Sequence, residues 1–451
     1  MELQKIQRVY LIGIGGIGMS GLARYFCHLG CIVCGYDKTS TNLTDELRNE
    51  GIQIVFEDKT DLVPLNFQTP DESTLVIFTP AIPKDSEILN FFVDAGFELF
   101  KRSQVLGLIS RGKFTIGIAG THGKTTTSTM VAHILKHSGT DCSAFLGGIS
   151  SNYNSNVLYG KNDIVVVEAD EYDRSFLTLY PNIAVITSMD ADHLDIYGDH
   201  SHLQESFRLF ASQIKDGGTL IRKKGLPLEG GITYSIKEEA NVTASNIRIE
   251  NGSFYFDFRN KDTEIRNIQL GIPGFHNVEN ATAATEAALM VGVAPEAVKA
   301  ALEDFRGVKR RFEYIVKTPE HIYIDDYAHH PEELRAAITS VKKLNPDKKL
   351  VTIFQPHLYT RTRDFADGFA EVLDLTDELI MLDIYPAREL PIEGVNSEMI
   401  LNRMKLANKR KLSKKEAVET IQNEQPALLL TVGAGDIDQL VEPLKAALSH
   451  V

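Results

Sequence analysis

Residues 11–18 read Leu-Ile-Gly-Ile-Gly-Gly-Ile-Gly, between a predicted strand at 8–12 and a predicted helix at 19–29. A G-x-G-x-x-G pattern in this setting lets the backbone approach a diphosphate closely, at a helix N-terminus that supplies N–H donors. The candidate ligands are Gly13, Gly15, Gly16 and Gly18. Asp37 follows about twenty residues later, after the next predicted strand, where it would bind a ribose hydroxyl. The pattern predicts a nucleotide diphosphate and does not specify nicotinamide.

A second glycine loop lies at residues 120–127, Gly-Thr-His-Gly-Lys-Thr-Thr-Thr, between a predicted strand at 113–118 and a predicted helix at 129–136. It is a variant P-loop, because Ile118 occupies the position of the usual first glycine. Lys124 would place its ammonium near the β- and γ-phosphates, and the Thr125 hydroxyl would bind Mg²⁺. The remaining phosphate-binding candidates are Gly120, Thr121, His122, Gly123 and Thr126. Two phosphate loops are more than a simple dehydrogenase needs.

Acidic residues follow two hydrophobic stretches in the middle of the chain. Glu168, Asp170 and Glu171 come after a predicted strand at 164–167, which is the setting of a Walker-B carboxylate beside Mg²⁺. Residues 190–195, Asp-Ala-Asp-His-Leu-Asp, follow a second predicted strand at 184–187. His193 is therefore a candidate ligand for a second cation.

The composition is that of a globular protein. The 451 residues are 43% hydrophobic and 24% charged, and the formal net charge is −14, which argues against a general affinity for nucleic acid or anionic membranes. No apolar run approaches the roughly 20 residues that span a bilayer, and residues 1–10 lack the anatomy of a signal peptide. The four cysteines fit buried positions in a reducing compartment. We expect a cytoplasmic protein without membrane insertion.

The order of predicted elements indicates an α/β protein. Short β-branched runs alternate with amphipathic stretches, first in residues 1–106, again from residue 107, and a third time from residue 306. We therefore predict three domains, at 1–106, 107–305 and 306–451. Alternating residues between 241 and 270 predict an antiparallel addition to the second domain.

Five motifs occur in the order found in Mur ligases, the ATP-dependent amide-bond-forming enzymes of peptidoglycan synthesis. They are Gly-Thr-His-Gly-Lys-Thr-Thr-Thr at 120–127, Glu-Ala-Asp-Glu at 168–171, Asp-Ala-Asp-His-Leu-Asp at 190–195, Phe-His-Asn-Val-Glu-Asn at 275–280 and Asp-Asp-Tyr-Ala-His-His-Pro at 325–331. The resemblance spans nearly the whole chain. The first glycine loop, with the late motifs at 354–357, 360–364 and 383–389, most resembles family members that act on UDP-N-acetylmuramate and L-alanine.

The resemblance implies an activity. The chain would join L-alanine to the lactyl carboxylate of UDP-N-acetylmuramate through an acyl phosphate, with release of ADP and phosphate. It implies a Rossmann-like UDP-binding domain, a central P-loop ATPase-type domain and a Rossmann-like C-terminal domain that closes over ATP and the amino acid. ATP and two Mg²⁺ ions would be required.

The resemblance also implies residue roles. Lys124 would bind ATP phosphates, and Thr125, Glu168 and His193 would bind Mg²⁺. Asn277 and Asn280 match positions at the adenine nucleotide, and Arg311 and Tyr327 match positions that reach ATP from the third domain. His329 is a candidate acceptor for the proton of the alanine ammonium, although His-His-Pro at 329–331 also reads as a helix start with proline in its first turn.

Two departures and several alternatives remain. Residues 206–208, Ser-Phe-Arg, lack the lysine that several sister ligases carbamylate. Leu358 stands where the family commonly has arginine, so any role of that arginine is absent or is taken by Arg361 or Arg363. A recycling ligase that attaches a peptide to UDP-N-acetylmuramate is the nearest alternative. An NAD-dependent oxidoreductase and a non-catalytic UDP-sugar sensor are further ones. The sequence leaves open the oligomeric state and the choice of alanine over glycine or serine.

Overall fold

The computed structural model describes residues 3–190, 199–250, 252–387 and 389–449. The chain folds as two compact units. The first contains residues 1–245, 257–268 and 279–305, and the second contains residues 246–256, 269–278 and 306–451. Within the described residues the strands form three β-sheets. Strands that alternate with helices along the chain confirm the predicted α/β class. The predicted boundaries at 107 and 306 remain predictions.

The first sheet has the strand order β3-β2-β1-β4-β5, with all neighbours parallel. Because β1 lies between β2 and β4, the chain leaves it at the point where the strand order reverses, which is where open α/β sheets bind ligands. The elements are β1 (Arg8–Ile12), α1 (Ile17–His28), β2 (Ile32–Tyr36), α2 (Asn42–Asn49), β3 (Gln53–Val55), β4 (Thr74–Phe78), α3 (Glu87–Asp94), β5 (Leu99–Lys101) and α4 (Arg102–Ser110).

The second sheet has the order β15-β14-β13-β12-β11-β10-β6-β9-β7-β8. Its strands are β6 (Phe114–Ala119), β7 (Ser143–Ser150), β8 (Ser155–Leu158), β9 (Ile164–Glu168), β10 (Ile183–Ile186), β11 (Thr219–Lys223), β12 (Ile232–Ser235), β13 (Val242–Glu250), β14 (Ser253–Arg259) and β15 (Glu264–Leu270). The accompanying helices are α5 (Lys124–His137), His200–Ser212, Phe275–Met290 and Pro295–Asp304. Strand β6 is parallel to both neighbours, β9 and β10, so the second glycine loop leaves the sheet between two other strand ends.

The third sheet lies in the second unit and has the order β16-β17-β21-β18-β19-β20. Only β16 is antiparallel to its neighbour among these strands. The strands are β16 (Glu313–Lys317), β17 (Ile322–Asp326), β18 (Leu350–Phe354), β19 (Glu378–Met381), β20 (Lys409–Lys411) and β21 (Leu428–Val432). The helices are Pro331–Leu344, Tyr359–Asp364, Ala366–Leu373, Glu398–Leu401, Lys414–Glu424 and Val441–Ser449. Short 3₁₀ helices elsewhere in the chain cover Leu3–Lys5, Thr60–Leu62, Leu65–Phe67, Tyr172–Thr178 and Asp436–Leu440.

One hydrophobic cluster runs without interruption through the first and second sheets. Leu22 and Phe26 of α1 belong to the same buried cluster as Phe145 of β7 and Val157 of β8. A polar contact lies beside it, where Asn156 of β8 donates to the carbonyl of Ile17 at 2.5 Å. The start of α1 is thus fixed against the sheet that carries the P-loop.

Asn156 is 1% exposed and uses both ends of its amide. Its nitrogen also donates to the Ser20 hydroxyl at 3.0 Å, and its oxygen accepts from the Arg24 guanidinium at 2.7 Å. Arg24 in turn pairs with Glu46 of α2 at 2.9 Å and with Glu50, the C-cap of α2, at 2.7 Å. Since unpaired buried polar groups are costly, this network specifies one arrangement of α1 on β8.

The predicted start of the P-loop helix was wrong. Residues 121–127 were expected to form a turn before a helix at 129, but α5 begins at Lys124. Two of its buried hydroxyls are satisfied by the helix itself: Ser128 and Thr129 both donate to the carbonyl of Thr125, at 3.1 and 2.6 Å. Tertiary burial of the threonine run overrides its weak helix propensity.

The predicted absence of a membrane span has a structural counterpart. Among the helices of the described residues, none combines the length and the apolar character needed to cross a bilayer.

Candidate nucleotide-binding site

The first glycine loop connects β1 to α1, as predicted. Gly15 donates its backbone N–H to Asp37 Oδ2 at 2.8 Å, and Thr39 donates to Asp37 Oδ1 at 3.1 Å. The carboxylate of Asp37 therefore orders the loop directly. Its assignment to a ribose hydroxyl remains a prediction.

Gly18 lies in the first turn of α1, where the side chain of Arg102 packs against it. A Cβ atom on Gly18 would overlap the guanidinium of Arg102, the first residue of α4. The guanidinium extends from this position to Asp170, with 3.2 Å between Nη2 and Oδ2. A cation at a helix N-terminus opposes the helix dipole, and an anion at the same place would offset both charges. Sequence reasoning missed Arg102, which belongs to no motif.

The second glycine loop is fixed to the end of β10. Gly123 has φ 82°, a conformation that favours glycine, and it is the residue from which α5 starts. The Ser188 hydroxyl accepts the N–H of His122 at 2.7 Å and lies 2.9 Å from the Thr121 hydroxyl. The Thr187 hydroxyl donates to the carbonyl of His122 at 2.5 Å. The loop is thus held open as a turn around the N-terminus of α5, the geometry that a P-loop needs.

Lys124 is held inside this loop. Its Nζ donates to the carbonyl of Gly120 at 2.6 Å and pairs with Glu171 Oε2 at 2.8 Å. Burial alone would lower the pKa of Lys124, but the charges of Glu171, Asp170 and Glu168 outweigh it and raise that pKa above its ordinary value. Lys124 is therefore cationic, as phosphate binding requires. Sequence reasoning placed Glu171 in an acidic segment and did not identify it as the partner of Lys124.

Thr125 and Glu168 lie together, as predicted for a metal site. The Thr125 hydroxyl donates to Glu168 Oε1 at 3.1 Å, and the backbone N–H of Gly147 donates to Glu168 Oε2 at 2.9 Å. A hydroxyl and an oriented carboxylate are hard oxygen donors that suit Mg²⁺, which usually takes its other ligands from phosphate and water. The residues present fit the ion. His193, the third predicted ligand, lies outside the described residues, while Asp190 donates its N–H to the Thr121 hydroxyl at 3.1 Å.

The two predicted asparagine ligands share the helix Phe275–Met290 but have different surroundings. A Cβ atom on Gly123 would lie 2.7 Å from Asn280 Oδ1, so Asn280 packs against the P-loop. Asn277 belongs to the second unit, where its amide donates to the carbonyl of Pro273 at 2.6 Å. Thr126 is 8% exposed in the first turn of α5. Of these three, the structure brings Asn280 and Thr126 to the P-loop.

The second unit contains its own cluster around Tyr327. The guanidinium carbons of Arg310 and Arg311 lie 5.3 and 5.0 Å from the centre of the Tyr327 ring. Arg310 is fixed by Asp325, at 2.9 Å, and by the carbonyl of Gly433, at 2.8 Å. Arg311 is paired more loosely, with Glu333 at 4.0 Å, and its side chain is 31% exposed against 20% for Arg310. Arg311 is therefore the arginine of the pair that is better placed to bind an anion.

His329 lies beside Tyr327 at the same strand end. Burial lowers the pKa of His329 to about 4, and the nearby charge of Glu333 opposes that shift only in part. Its Nδ1 lies 2.9 Å from the carbonyl of Tyr327, an acceptor, so this nitrogen carries the proton and Nε2 is left as the basic atom. The helix start predicted from the sequence is confirmed: the helix begins at Pro331, with His330 as its N-cap.

Arg361 and Arg363 were the two candidates to replace the family arginine at position 358. Arg361 Nη1 lies 3.4 Å from Nδ1 of His357, within the cluster, whereas Arg363 pairs with Asp364 at 2.7 Å and is half exposed. Leu358 itself has φ 70°, an uncommon conformation for leucine, and donates its N–H to the carbonyl of Tyr385 at 2.9 Å. The geometry favours Arg361.

Three consecutive segments of the chain match known protein families. Residues 8–114 match the family described as Mur ligase family, catalytic domain; residues 118–288 match Mur ligase middle domain; and residues 310–435 match Mur ligase, glutamate ligase domain. The chain belongs to the Mur ligase family.

Among individual proteins, the chain is 49% identical over 450 residues to UDP-N-acetylmuramate–L-alanine ligase of Flavobacterium psychrophilum, covering 100% of both chains. The solved structure of UDP-N-acetylmuramate-alanine ligase MurC from Thermotoga maritima is 29% identical, with a TM-score of 0.83, covering 97% of this chain and 98% of that one. A murein peptide ligase from Psychrobacter arcticus shares the fold, with 24% identity, a TM-score of 0.70 and 99% coverage of both chains.

Proposed function

We propose that this protein is an ATP-dependent ligase that joins L-alanine to the lactyl carboxylate of UDP-N-acetylmuramate and releases ADP and phosphate. The observation that carries the proposal is the P-loop arrangement of Lys124, Thr125 and Glu168 in a chain that matches an L-alanine ligase over its full length. We propose that residues 1–106 bind the UDP-sugar, 107–305 bind ATP, and 306–451 bind the amino acid and reach ATP.

The first nucleotide would be an anchor that is not consumed. Its diphosphate would bind at the N-terminus of α1, against the loop that Asp37 orders and beside Arg102. Because Asn156 fixes α1 on the ATP-binding sheet, the anchored substrate would be held at a constant position relative to the P-loop. Holding two reactants in one geometry removes much of the entropic barrier to their reaction.

The second nucleotide would be consumed. A carboxylate does not react usefully with an amine at neutral pH, since oxide is a poor leaving group, so the lactyl carboxylate attacks the γ-phosphorus to form an acyl phosphate and ADP. Lys124 and the N–H groups of the loop would neutralise the charge of the two anions that meet. Mg²⁺ held by Thr125 and Glu168 would add positive charge at the same phosphates, and we propose a second ion near His193.

The amine of L-alanine would then attack the acyl carbon and expel phosphate. Alanine arrives mostly as an ammonium, so one proton must leave before attack. His329 is our candidate acceptor, because its Nδ1 faces the Tyr327 carbonyl and Nε2 is left unprotonated. The lowered pKa of His329 makes it a weak base, so any proton it accepts would be passed on readily. We assign Arg311 to the phosphates and Tyr327 to the same face of the second unit, following the family resemblance.

The test is phosphate release from ATP in the presence of UDP-N-acetylmuramate and one amine at a time. L-Alanine should support turnover, and glycine and L-serine should support less, although one methylene in a pocket contributes only about 1–3 kcal/mol of selectivity. Release of phosphate at the same rate without the UDP-sugar and the amino acid would refute the coupling.

The second candidate function is that of a peptide-recycling ligase on the same UDP-sugar. It is favoured only by the shared fold of the murein peptide ligase. The same assay with a tripeptide in place of L-alanine separates the two, because a recycling ligase would turn over the peptide faster than the free amino acid.

A further inference from the structure

The ammonium of Lys124 has used its hydrogen-bonding capacity within the protein. It lies 2.8 and 3.0 Å from the two carboxylate oxygens of Glu171, 2.6 Å from the carbonyl of Gly120 and 3.4 Å from that of Thr121. An ammonium has three N–H donors, so these acceptors account for all of them. A phosphate can bind Lys124 only by displacing one of these partners.

Glu171 is the strongest of these competitors. It is 1% exposed, whereas the Lys124 side chain is 13% exposed, so the carboxylate stays buried while the lysine borders the loop opening. The backbone around Glu171 is fixed, since its carbonyl accepts the N–H of Arg174 at 2.9 Å and the carbonyl of Asp170 accepts that of Phe176 at 2.9 Å. The main chain of Glu171 is therefore held in a turn while its buried carboxylate contacts Lys124.

The neighbouring carboxylate has a different partner. Asp170 pairs with Arg102 at 3.2 Å and does not share the close contact with Lys124. Two adjacent acids of similar charge thus differ in whether they hold the P-loop lysine, which separates a direct contact from a general electrostatic effect.

We propose that Glu171 is a positioning residue that holds Lys124 retracted in the loop until a nucleotide phosphate competes for it. This inference rests on the proposed function and deepens it. The retracted lysine lowers the affinity for nucleotide, because the binding-competent position must first be populated at the expense of the Glu171 contact. It also limits idle hydrolysis of ATP, since the charge of Lys124 is available at the phosphates only after the exchange.

The first test is the affinity for ADP in the presence of EDTA, so that no metal ion contributes. Replacing Glu171→Gln should tighten ADP binding about tenfold, the scale of one charge-assisted hydrogen bond. The matched control is Asp163→Asn, which removes an exposed acid just before β9, at the end of that strand opposite Glu168, and should change ADP affinity by less than about threefold. Unchanged or weaker ADP binding in Glu171→Gln would overturn the proposal.

A double variant shows whether the gain in ADP affinity depends on Lys124. In Lys124→Met, the added Glu171→Gln change should no longer tighten ADP binding; an undiminished gain would refute the exchange. If Glu171→Gln does not fold, Glu171→Asp keeps the charge and withdraws the carboxylate by one methylene. That variant should also bind ADP more tightly than the wild type, and failure to do so would count equally against the proposal.

The last readout is phosphate release from Mg·ATP without UDP-sugar or amino acid. This rate should rise in Glu171→Gln and stay at the wild-type level in Asp163→Asn. An unaltered rate in Glu171→Gln would remove the second half of the proposal. ADP binding requires no ligase turnover, so these results stand apart from the test of the proposed function.

Discussion

Arg102 offers the sharpest test of the first nucleotide site, because its guanidinium lies against Gly18 at the start of α1. The perturbation is Arg102→Met, which keeps much of the side-chain length and removes the charge. The sugar nucleotide would lose a cation at its diphosphate while all N–H donors of the glycine loop remain.

The magnitude follows from two contacts. A charge-assisted hydrogen bond contributes about 1.5–3 kcal/mol, which corresponds to a loss of about 10- to 150-fold in affinity for UDP. The ion pair with Asp170 is partly exposed, at 24% and 37% for the two side chains, so its loss should cost only about 0–1 kcal/mol of stability. Binding should therefore change far more than folding.

The assay is a titration of UDP, followed by one of ADP, with thermal unfolding of the same samples. ADP affinity should stay within about threefold of the wild type, because Arg102 lies against the first glycine loop and ADP would bind at the second. The control is Arg111→Met, which removes an exposed arginine just beyond the opposite end of α4. Undiminished UDP affinity in Arg102→Met would refute the reasoning, as would an equal loss in Arg111→Met.

Three further predictions follow from the same structure. Lys124→Ala should abolish ADP formation while UDP-N-acetylmuramate binding stays nearly unchanged; full turnover in the assay would exclude the P-loop from the mechanism. Asn156→Ala should destabilise the first unit by about 2–4 kcal/mol in denaturant unfolding, because it removes three buried hydrogen bonds that join β8 to α1; a loss below about 0.5 kcal/mol would contradict this. Burial lowers the pKa of His276 to about 4, and the charge of Arg311 adds to the effect. Between about pH 6.5 and 4, His276 is therefore protonated in the unfolded chain and neutral in the folded chain. The unfolding temperature should therefore fall as the pH drops through this window, and less so in His276→Asn; identical slopes would refute the assignment.

The pH prediction includes an opposing group. Burial raises the pKa of Asp326 to about 6, so this carboxyl takes up its proton in the folded state first and favours folding as the pH falls from about 6 towards 4. His329 has a lowered pKa of about 4, like His276, and acts in the same direction as His276. Burial also raises the pKa values of Glu286, Glu313 and Asp325, which oppose the histidines in the same way. The His276→Asn variant isolates the contribution of His276.

The sequence predicted the elements that depend on local pattern. The strands that carry both glycine loops and the helix start at Pro331 follow from spacing and residue type. The proximity of Thr125 and Glu168 was expected only because each lies in a motif associated with Mg²⁺. The start of α5 was mispredicted because a threonine run favours a turn locally and only its burial makes it helical.

Contacts between distant segments could not be predicted from pattern. Arg102 and Asp170 are 68 positions apart, and Lys124 and Glu171 are 47 apart, so only the folded topology brings each pair together. Asn156 carries no motif at all, and its importance follows from burial between α1 and β8. The roles assigned to Asp37, Asn277, Arg311 and Tyr327 remain predictions of the resemblance.

The contact between α1 and β8 determines where the chain can be cut to give a stable fragment. A fragment cut near residue 107 to isolate the ATP-binding sheet would lose the helix that covers Phe145 and satisfies Asn156, and would expose an apolar patch with an orphaned amide at its centre. Such a fragment should aggregate for reasons unrelated to its nucleotide chemistry. Inhibitor screens and fragment expression therefore need the segment from Ile17 to His28 retained, or Phe145 and Asn156 replaced by polar side chains that tolerate water.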